Sequence, residues 1–203
     1  NFHIGDDLTL FGGARYTDEK KEIDWFQTSS PVNILAAFGI DSGQVPISRD
    51  LESAEPSWTI GLRYSITDDV MAYGKVATGF KSGAVKSGGA LSSADLADDL
   101  FINPEFTTNY EVGLKSAWLD NRLRLNTSLF YIDYEDLQVR SLDPNANQGA
   151  GRVIFQNAAE VTSKGVEIEV IALPFDNLIV DLGVGYTDAT YDKFEGVPNP
   201  LGG

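Results

Sequence analysis

No cysteine occurs in these 203 residues. That absence excludes disulfide scaffolds, thiol catalysis and cysteine-held metals. It is compatible with an oxidising envelope compartment without demonstrating one. Histidine is almost as scarce, His3 being the single one. With neither a second imidazole nor a thiolate, a transition-metal site lacks its usual ligands. No Ser–His–Asp arrangement can be assembled around an isolated His3 either, which reads as an incidental terminal residue. Long apolar runs are also missing. The longest, Ile34-Leu35-Ala36-Ala37-Phe38, falls far short of the roughly 18 residues that a transmembrane helix needs. The opening Asn1-Phe2-His3-Ile4-Gly5-Asp6-Asp7 has no basic stretch ahead of an apolar core, so it is not a signal peptide. Either a leader has been removed or the chain is an internal piece. Positive charge is the last shortage. Fifteen Lys and Arg stand against 30 Asp and Glu, a net charge of -15, which argues against nucleic acid as a partner through a basic surface.

What is present must be read by pattern, because averages do not discriminate. A mean hydropathy of -0.14 suits a soluble protein, and it equally suits a membrane β-barrel wall that is apolar only at every second residue. The pattern is alternation. Trp58, Ile60, Leu62, Tyr64 and Ile66 are apolar while Thr59, Gly61, Arg63, Ser65 and Thr67 between them are not. Leu178, Val180, Leu182, Val184 and Tyr186 alternate in the same way with a mostly polar or small set. Tyr110, Val112, Leu114 and Trp118 oppose Asn109, Glu111, Gly113 and Lys115, and Leu123, Leu125, Leu129 and Tyr131 oppose Arg124, Asn126 and Ser128. A period of two sends the two sets to opposite faces of a strand. Residues 8–16 alternate weakly because Phe11 interrupts the polar set, and residues 70–80 do not reveal which face is which.

The connections are of two kinds. Short turns are expected at Asp6-Asp7, Thr67-Asp68-Asp69, Leu119-Asp120-Asn121 and Pro174-Phe175-Asp176-Asn177, since Asp and Asn tolerate left-handed dihedrals and bond their own backbone. Longer loops are expected at 28–54, 82–104 and 141–152, where turn residues cluster. Strands are expected near 8–27, 55–66, 70–81, 105–118, 122–140, 153–172 and 178–193. Strict alternation of short and long connections matches the periplasmic turns and extracellular loops of outer-membrane barrels. Several of these strands exceed the ~9–11 residues that a tilted strand needs to cross the membrane. Trp118 at a short turn, and Trp58, Phe80, Tyr131, Tyr134 and Tyr191 towards the long loops, suggest two aromatic girdles; in a soluble sheet they would be core aromatics. The expected fold is an all-β antiparallel meander forming part of a transmembrane β-barrel, about seven strands long. Bacterial single-chain barrels have even strand numbers and hydrocarbon tolerates no open edge, so the chain is expected to be a piece of a larger wall.

The order of motifs then resembles a family. Tyr73 followed by Gly79-Phe80-Lys81-Ser82-Gly83 resembles the "Y-x-x-x-x-x-G-F-K-x-G" strand of TonB-dependent outer-membrane receptors. Pro104-Glu105 with Tyr110-Glu111, Gly113 and Lys115 is similar to "P-E-x-x-x-x-Y-E-x-G-x-K". Phe130-Tyr131, Tyr134, Asp136 and Gln138 match "F-Y-x-x-Y-x-D-x-Q". Asn157-Ala158-Ala159, Val161, Gly165, Glu167 and Glu169 resemble "N-A-(G/A)-x-(A/V)-x-x-x-G-x-E-x-E". The upstream Gly12-Gly13-Ala14-Arg15-Tyr16-Thr17 also fits a barrel strand. The resemblance implies a 22-stranded barrel with an N-terminal plug, in the outer membrane of a Gram-negative bacterium. It implies active uptake of a scarce small-molecule ligand powered by the TonB complex. A ferric siderophore is the first expectation, with cobalamin and oligosaccharides open. Residues 1–203 then form a partial barrel domain, with plug, TonB box and C-terminal strands outside it.

No enzyme, cofactor, catalytic residue or metal ligand is expected, and the ligand-contacting residues are not assigned. Asp95, Asp98 and Asp99 put three carboxylates into one loop, yet they meet no calcium-loop spacing and read as a solvated segment. The glycines at 79, 83, 88 and 89 lack the spacing and the Lys-Ser/Thr ending of a phosphate loop. Glu167 and Glu169 share a strand face, and glycoside chemistry uses paired carboxylates, but acids lining a wet interior suffice to explain them. Arg63, Lys75, Glu111, Lys115, Arg124, Glu167, Glu169 and Asp181 are expected to face the lumen, because Lys and Arg facing lipid at the midplane cost about 2–4 kcal/mol. Two other readings compete: a passive porin-type barrel, which has the same alternating faces, and a soluble β-sandwich, which needs two sheets burying their apolar rows against each other.

Overall fold

A computed structural model describes residues 1–25, 47–85, 101–143 and 152–194. These form β1 (Phe2–Ile4), β2 (Leu8–Trp25), β3 (Ile47–Thr67), β4 (Val70–Lys81), β5 (Ala84–Val85), β6 (Phe101–Ile102), β7 (Glu105–Trp118), β8 (Leu123–Asp143), β9 (Arg152–Phe175) and β10 (Leu178–Phe194). Eight of them make one sheet in the order β1-β2-β3-β4-β7-β8-β9-β10, every neighbour antiparallel, while β5 and β6 pair separately. This is the expected meander. The eighth strand of the main sheet, not foreseen, is the short β1, which folds back through Gly5 at φ 66° and pairs Phe2 with Leu10.

Register fixes the faces. Leu10 pairs with Leu62, Leu62 with Gly74, Gly74 with Val112, Val112 with Leu129 and Leu129 with Val166. Paired residues share a face, so the apolar sets of successive strands merge into one continuous surface. That surface is open: Ile60 is 60% exposed, Val112 55% and Leu129 54%. Among the described residues the buried hydrophobics are only Ile102, Ala158 and Ala159. Among the described residues no second sheet covers the apolar rows, and the sandwich reading fails on that observation. An exposed apolar surface of this extent marks an interaction face, and a membrane is one such partner.

Rows of paired residues also measure the band. On the apolar face, Trp118 pairs with Leu123 near the short turns. Ile60, Val76, Tyr110 and Tyr131 form a row nearer the long connections, and its next member is Lys164. Lys164 lies 3.8 Å from Asp188. The apolar band on β8 thus runs from Leu123 to Tyr131, which matches the ~9–11 residues of a tilted membrane strand. Trp58, Phe80, Trp118 and Tyr131 lie on this face as expected. Tyr134 and Tyr191 do not: Tyr134 pairs with Thr107 and Val161, and Tyr191 with Val161, all of the polar set.

Several boundaries differ from expectation. The region expected as a loop from 28 to 54 contains strand from Ile47 onward, because β3 pairs residue by residue with β2 up to Trp25. Its Ser, Arg, Asp and Glu content reads as loop but is carried on a hairpin that stands beyond the apolar band, where Lys20 Nζ meets Asp50 at 2.8 Å. Within 82–104, the legs form β5 and β6. β8 continues to Asp143 and β9 begins at Arg152. Pro174 and Phe175, expected in a turn, belong to β9; Pro174 falls in an irregularity between the Leu178–Phe175 and Val180–Ala172 pairs, where no ladder donor is required. Leu119, Asp120 and Asn121 make the expected tight turn, all three at positive φ. The acidic segment containing Asp95, Asp98 and Asp99, with Gly88 and Gly89, lies outside the described residues.

Candidate functional site

The polar face carries the site. All eight charged residues expected on one surface lie there: Arg63 pairs with Tyr73, Lys75 with Glu111, Lys115 with Asn126, Arg124 with Ile171, Glu167 with Gly185, Glu169 with Gly183 and Asp181 with Ile171. Side chains from β4, β7, β8, β9 and β10, among them Tyr73, Glu111, Lys115, Asn126, Glu169 and Asp181, border one open groove. Five neighbouring strands thus contribute side chains to one groove on the polar face.

An ion pair crosses between strands of this face. Lys75 Nζ lies 2.8 Å from Glu111 Oε2, and Tyr73 donates its hydroxyl to Glu111 Oε1 at 2.6 Å. Lys115 Nζ stands 6.0 Å from the centre of the Tyr73 ring, within cation–π reach. Asn126 Nδ2 donates to Glu169 Oε2 at 2.7 Å. Glu111 and Glu169 are therefore each held by a neighbouring strand. Among the described residues no group of three or more His, Asp or Glu side chains is placed to hold a metal ion. His3 is exposed and lies with Nδ1 3.0 Å from Thr9 Oγ1, its cross-strand partner.

Aromatics on this face explain the two weak alternation signals. Phe11 and Tyr73 belong to the polar set, and each lies over a glycine of the adjacent strand, Gly61 and Gly113. A Cβ at Gly113 would stand 2.5–2.7 Å from three atoms of the Tyr73 ring, so the ring occupies the space a side chain would take. Phe130 covers Gly165 likewise. Arg63 lies 5.4 Å over the Phe11 ring. Single-strand periodicity misses these pairs because the glycine that admits the ring is on another strand.

At the long-connection end of the wall the polar residues of the four quoted motifs meet. Gln138 Nε2 donates to the carbonyls of Ser82 and Asn103, at 3.0 Å each. Asn157 Nδ2 donates to the carbonyls of Asn103 and Asp136, at 3.0 and 2.7 Å, while its Oδ1 accepts from the Asn103 N–H at 2.8 Å. Glu105 Oε2 accepts from the Gln138 N–H at 2.9 Å. The sequence named these residues but not their meeting, which needs the register of three hairpins.

A long antiparallel meander with one exposed apolar face and one charged face is the architecture of an outer-membrane β-barrel wall. The comparisons agree. The model of the TonB-dependent receptor-like β-barrel matches residues 1–203. The ferric-pyoverdine M114 receptor PbuA of Pseudomonas sp. (strain M114) is 25% identical over 198 residues, which are 93% of this chain and 21% of that protein. Crystal structures of the siderophore receptor PiuA from Acinetobacter baumannii (TM-score 0.68, 20% identity, 96% of this chain and 25% of that one) and the ferric yersiniabactin uptake receptor FyuA from Yersinia pestis (TM-score 0.67, 19% identity, 95% and 26%) share the fold. The chain belongs to the TonB-dependent receptor family, as part of its β-barrel, in the outer membrane of a Gram-negative bacterium. It spans about a fifth to a quarter of the length of these relatives. The family is one of receptors and transporters, not of enzymes.

Proposed function

We propose that this chain is a wall segment of a receptor that takes up a ferric siderophore, driven by the TonB complex of the inner membrane. One observation carries the reading: the family match runs the whole length of a sheet whose apolar face is open and whose polar face is lined by paired charges. The choice of ligand is supported by the relative that is a ferric-pyoverdine receptor. On this reading residues 1–203 are a partial barrel domain, and plug, TonB-contacting segment and remaining strands belong to other parts of the protein. The apolar band meets outer-membrane lipid, the polar face meets plug and passage, and no residue acts as a catalyst.

The test is uptake of pyoverdine-bound radioactive iron by cells carrying the complete receptor as their sole route. Accumulation that stops when TonB is deleted supports the proposal. Entry that persists without TonB points to a passive pore. Uptake of labelled cobalamin or an oligosaccharide, with none of the iron complex, overturns the ligand assignment.

A further inference from the structure

β4 and β7 are joined by a connection whose two described legs stay on the wall. Its legs, residues 82–85 and 101–104, fold against the wall and pair with each other through Ala84–Ile102 and Val85–Phe101. One attachment comes from β2, where Lys21 Nζ donates to Ser82 Oγ and, at 2.9 Å, to the Gly83 carbonyl. Lys21 shares the parity of Phe11 and Arg15, so this attachment lies on the lumen side. Leu51 of β3 packs at Gly83, where a Cβ would stand 3.2 Å from its Cδ2. The other attachment comes from β8 and β9 through Gln138 and Asn157.

The wall is deformed where these two side chains leave it. Register slips between Tyr134 and Leu137 and again between Leu137 and Gln138, which leaves Asp136 at φ 54° and displaces Ala158 from the ladder. Bulges re-aim side chains, and here the pair Gln138–Asn157 is turned onto Asn103. The contact is also the best-packed spot among the described residues, with Ile102 and Ala159 each 4% exposed and Ala158 9%.

We propose that Gln138 and Asn157 are positioning residues that, from adjoining bulges in β8 and β9, fasten both legs of the 82–104 connection to the lumen side of the wall, as a strut reaching across to Lys21 on β2. It braces the rim over six strands of the sheet, β2-β3-β4-β7-β8-β9. The strut is independent of which ligand is carried.

The experiment uses the complete receptor in phospholipid vesicles with nitroxides at Ala84, in the strut, and Asp69, in the short turn below it. The twelve residues of β4 separate the labels by about 40 Å at roughly 3.3 Å per residue, within reach of pulsed dipolar spectroscopy. The unaltered protein gives one narrow distance distribution. Gln138→Ala with Asn157→Ala broadens it roughly twofold, as local opening does when tethers are removed, while the urea midpoint and heat-modifiable gel migration of the barrel stay unchanged. A distribution as narrow as the unaltered one overturns the proposal. If the double variant does not assemble, Asn157→Asp is read in the same way, since it keeps the acceptor for the Asn103 N–H and loses both donors. Failure of the barrel reading itself would appear separately, as migration that heating does not change.

Discussion

Leu114 sits in the middle of the apolar band. It pairs with Ala72 on one side and Thr127 on the other, midway between the Trp118–Leu123 and Tyr110–Tyr131 rows, and is 39% exposed. Leu114→Arg places a guanidinium in hydrocarbon at the depth where Arg costs about 2–4 kcal/mol, which is roughly a 30- to 700-fold loss in the folding equilibrium. Ser128 pairs with Gly113, at nearly the same depth on the adjacent strand, but faces the groove lined by Glu167 and Glu169. Ser128→Arg should therefore change stability by less than about 1 kcal/mol, as for an exposed charge near carboxylates. Leu123→Arg, on the apolar face at the band's edge, should cost about 0–1 kcal/mol. The assay is urea unfolding of the complete receptor in phospholipid vesicles, followed by heat-modifiable migration. Equal midpoints for Leu114→Arg and Ser128→Arg, or a larger loss for Ser128→Arg, would refute the assignment of faces.

Further outcomes follow from the lining and the rim. Gly113→Val drives the Tyr73 ring off its seat and breaks its hydrogen bond to Glu111, at an overpacking cost of about 1–3 kcal/mol; the same unfolding assay should show recovery when Tyr73→Leu is added. Asp176→Ala removes the partner of Arg122 in an exposed pair of 3.0 Å, so its urea midpoint should move by less than about 1 kcal/mol equivalent. At the rim, the hydrogen bond from Ser82, aided by the Lys21 charge, holds the Glu19 carboxyl below its usual 4.5. Its folded value is lowered, so its hold on the strut is complete above that range and is lost as pH falls through the folded value. The Ala84–Asp69 distance distribution should therefore broaden as pH falls through that lowered value, and Glu19→Gln should reduce the change.

Much of the wall was legible because alternation is a local property. Trp58 to Ile66 and Leu178 to Tyr186 each declare two faces within one strand, and the eight charged residues from Arg63 to Asp181 fall on the face that their hydration requires. What stayed hidden depends on neighbours. Phe11, Tyr73 and Phe130 are tolerated on the polar face because glycines across the register receive their rings. Residues 47–54 read as loop from their polar content, yet they lie beyond the apolar band on a paired hairpin, where no alternation of hydropathy is needed. Tyr134, in the middle of the long β8, and Tyr191, near the end of β10, lie on the polar face, a distinction that sequence distance from a loop does not reveal. Gln138 and Asn157 stood out as motif letters; that both bond Asn103 follows only from the bulges in β8 and β9.

The alternation itself is open to direct measurement. This chain contributes no native cysteine, so single cysteines carrying nitroxides can be placed one at a time from Asn109 to Ser116 in the complete receptor. Collision with oxygen, which concentrates in lipid, should peak at Tyr110, Val112 and Leu114, and collision with a water-soluble nickel chelate at Asn109, Glu111 and Lys115. Two accessibility profiles that rise and fall together along β7, or that show no period of two, would contradict a wall with one face in lipid and the other in a wet interior.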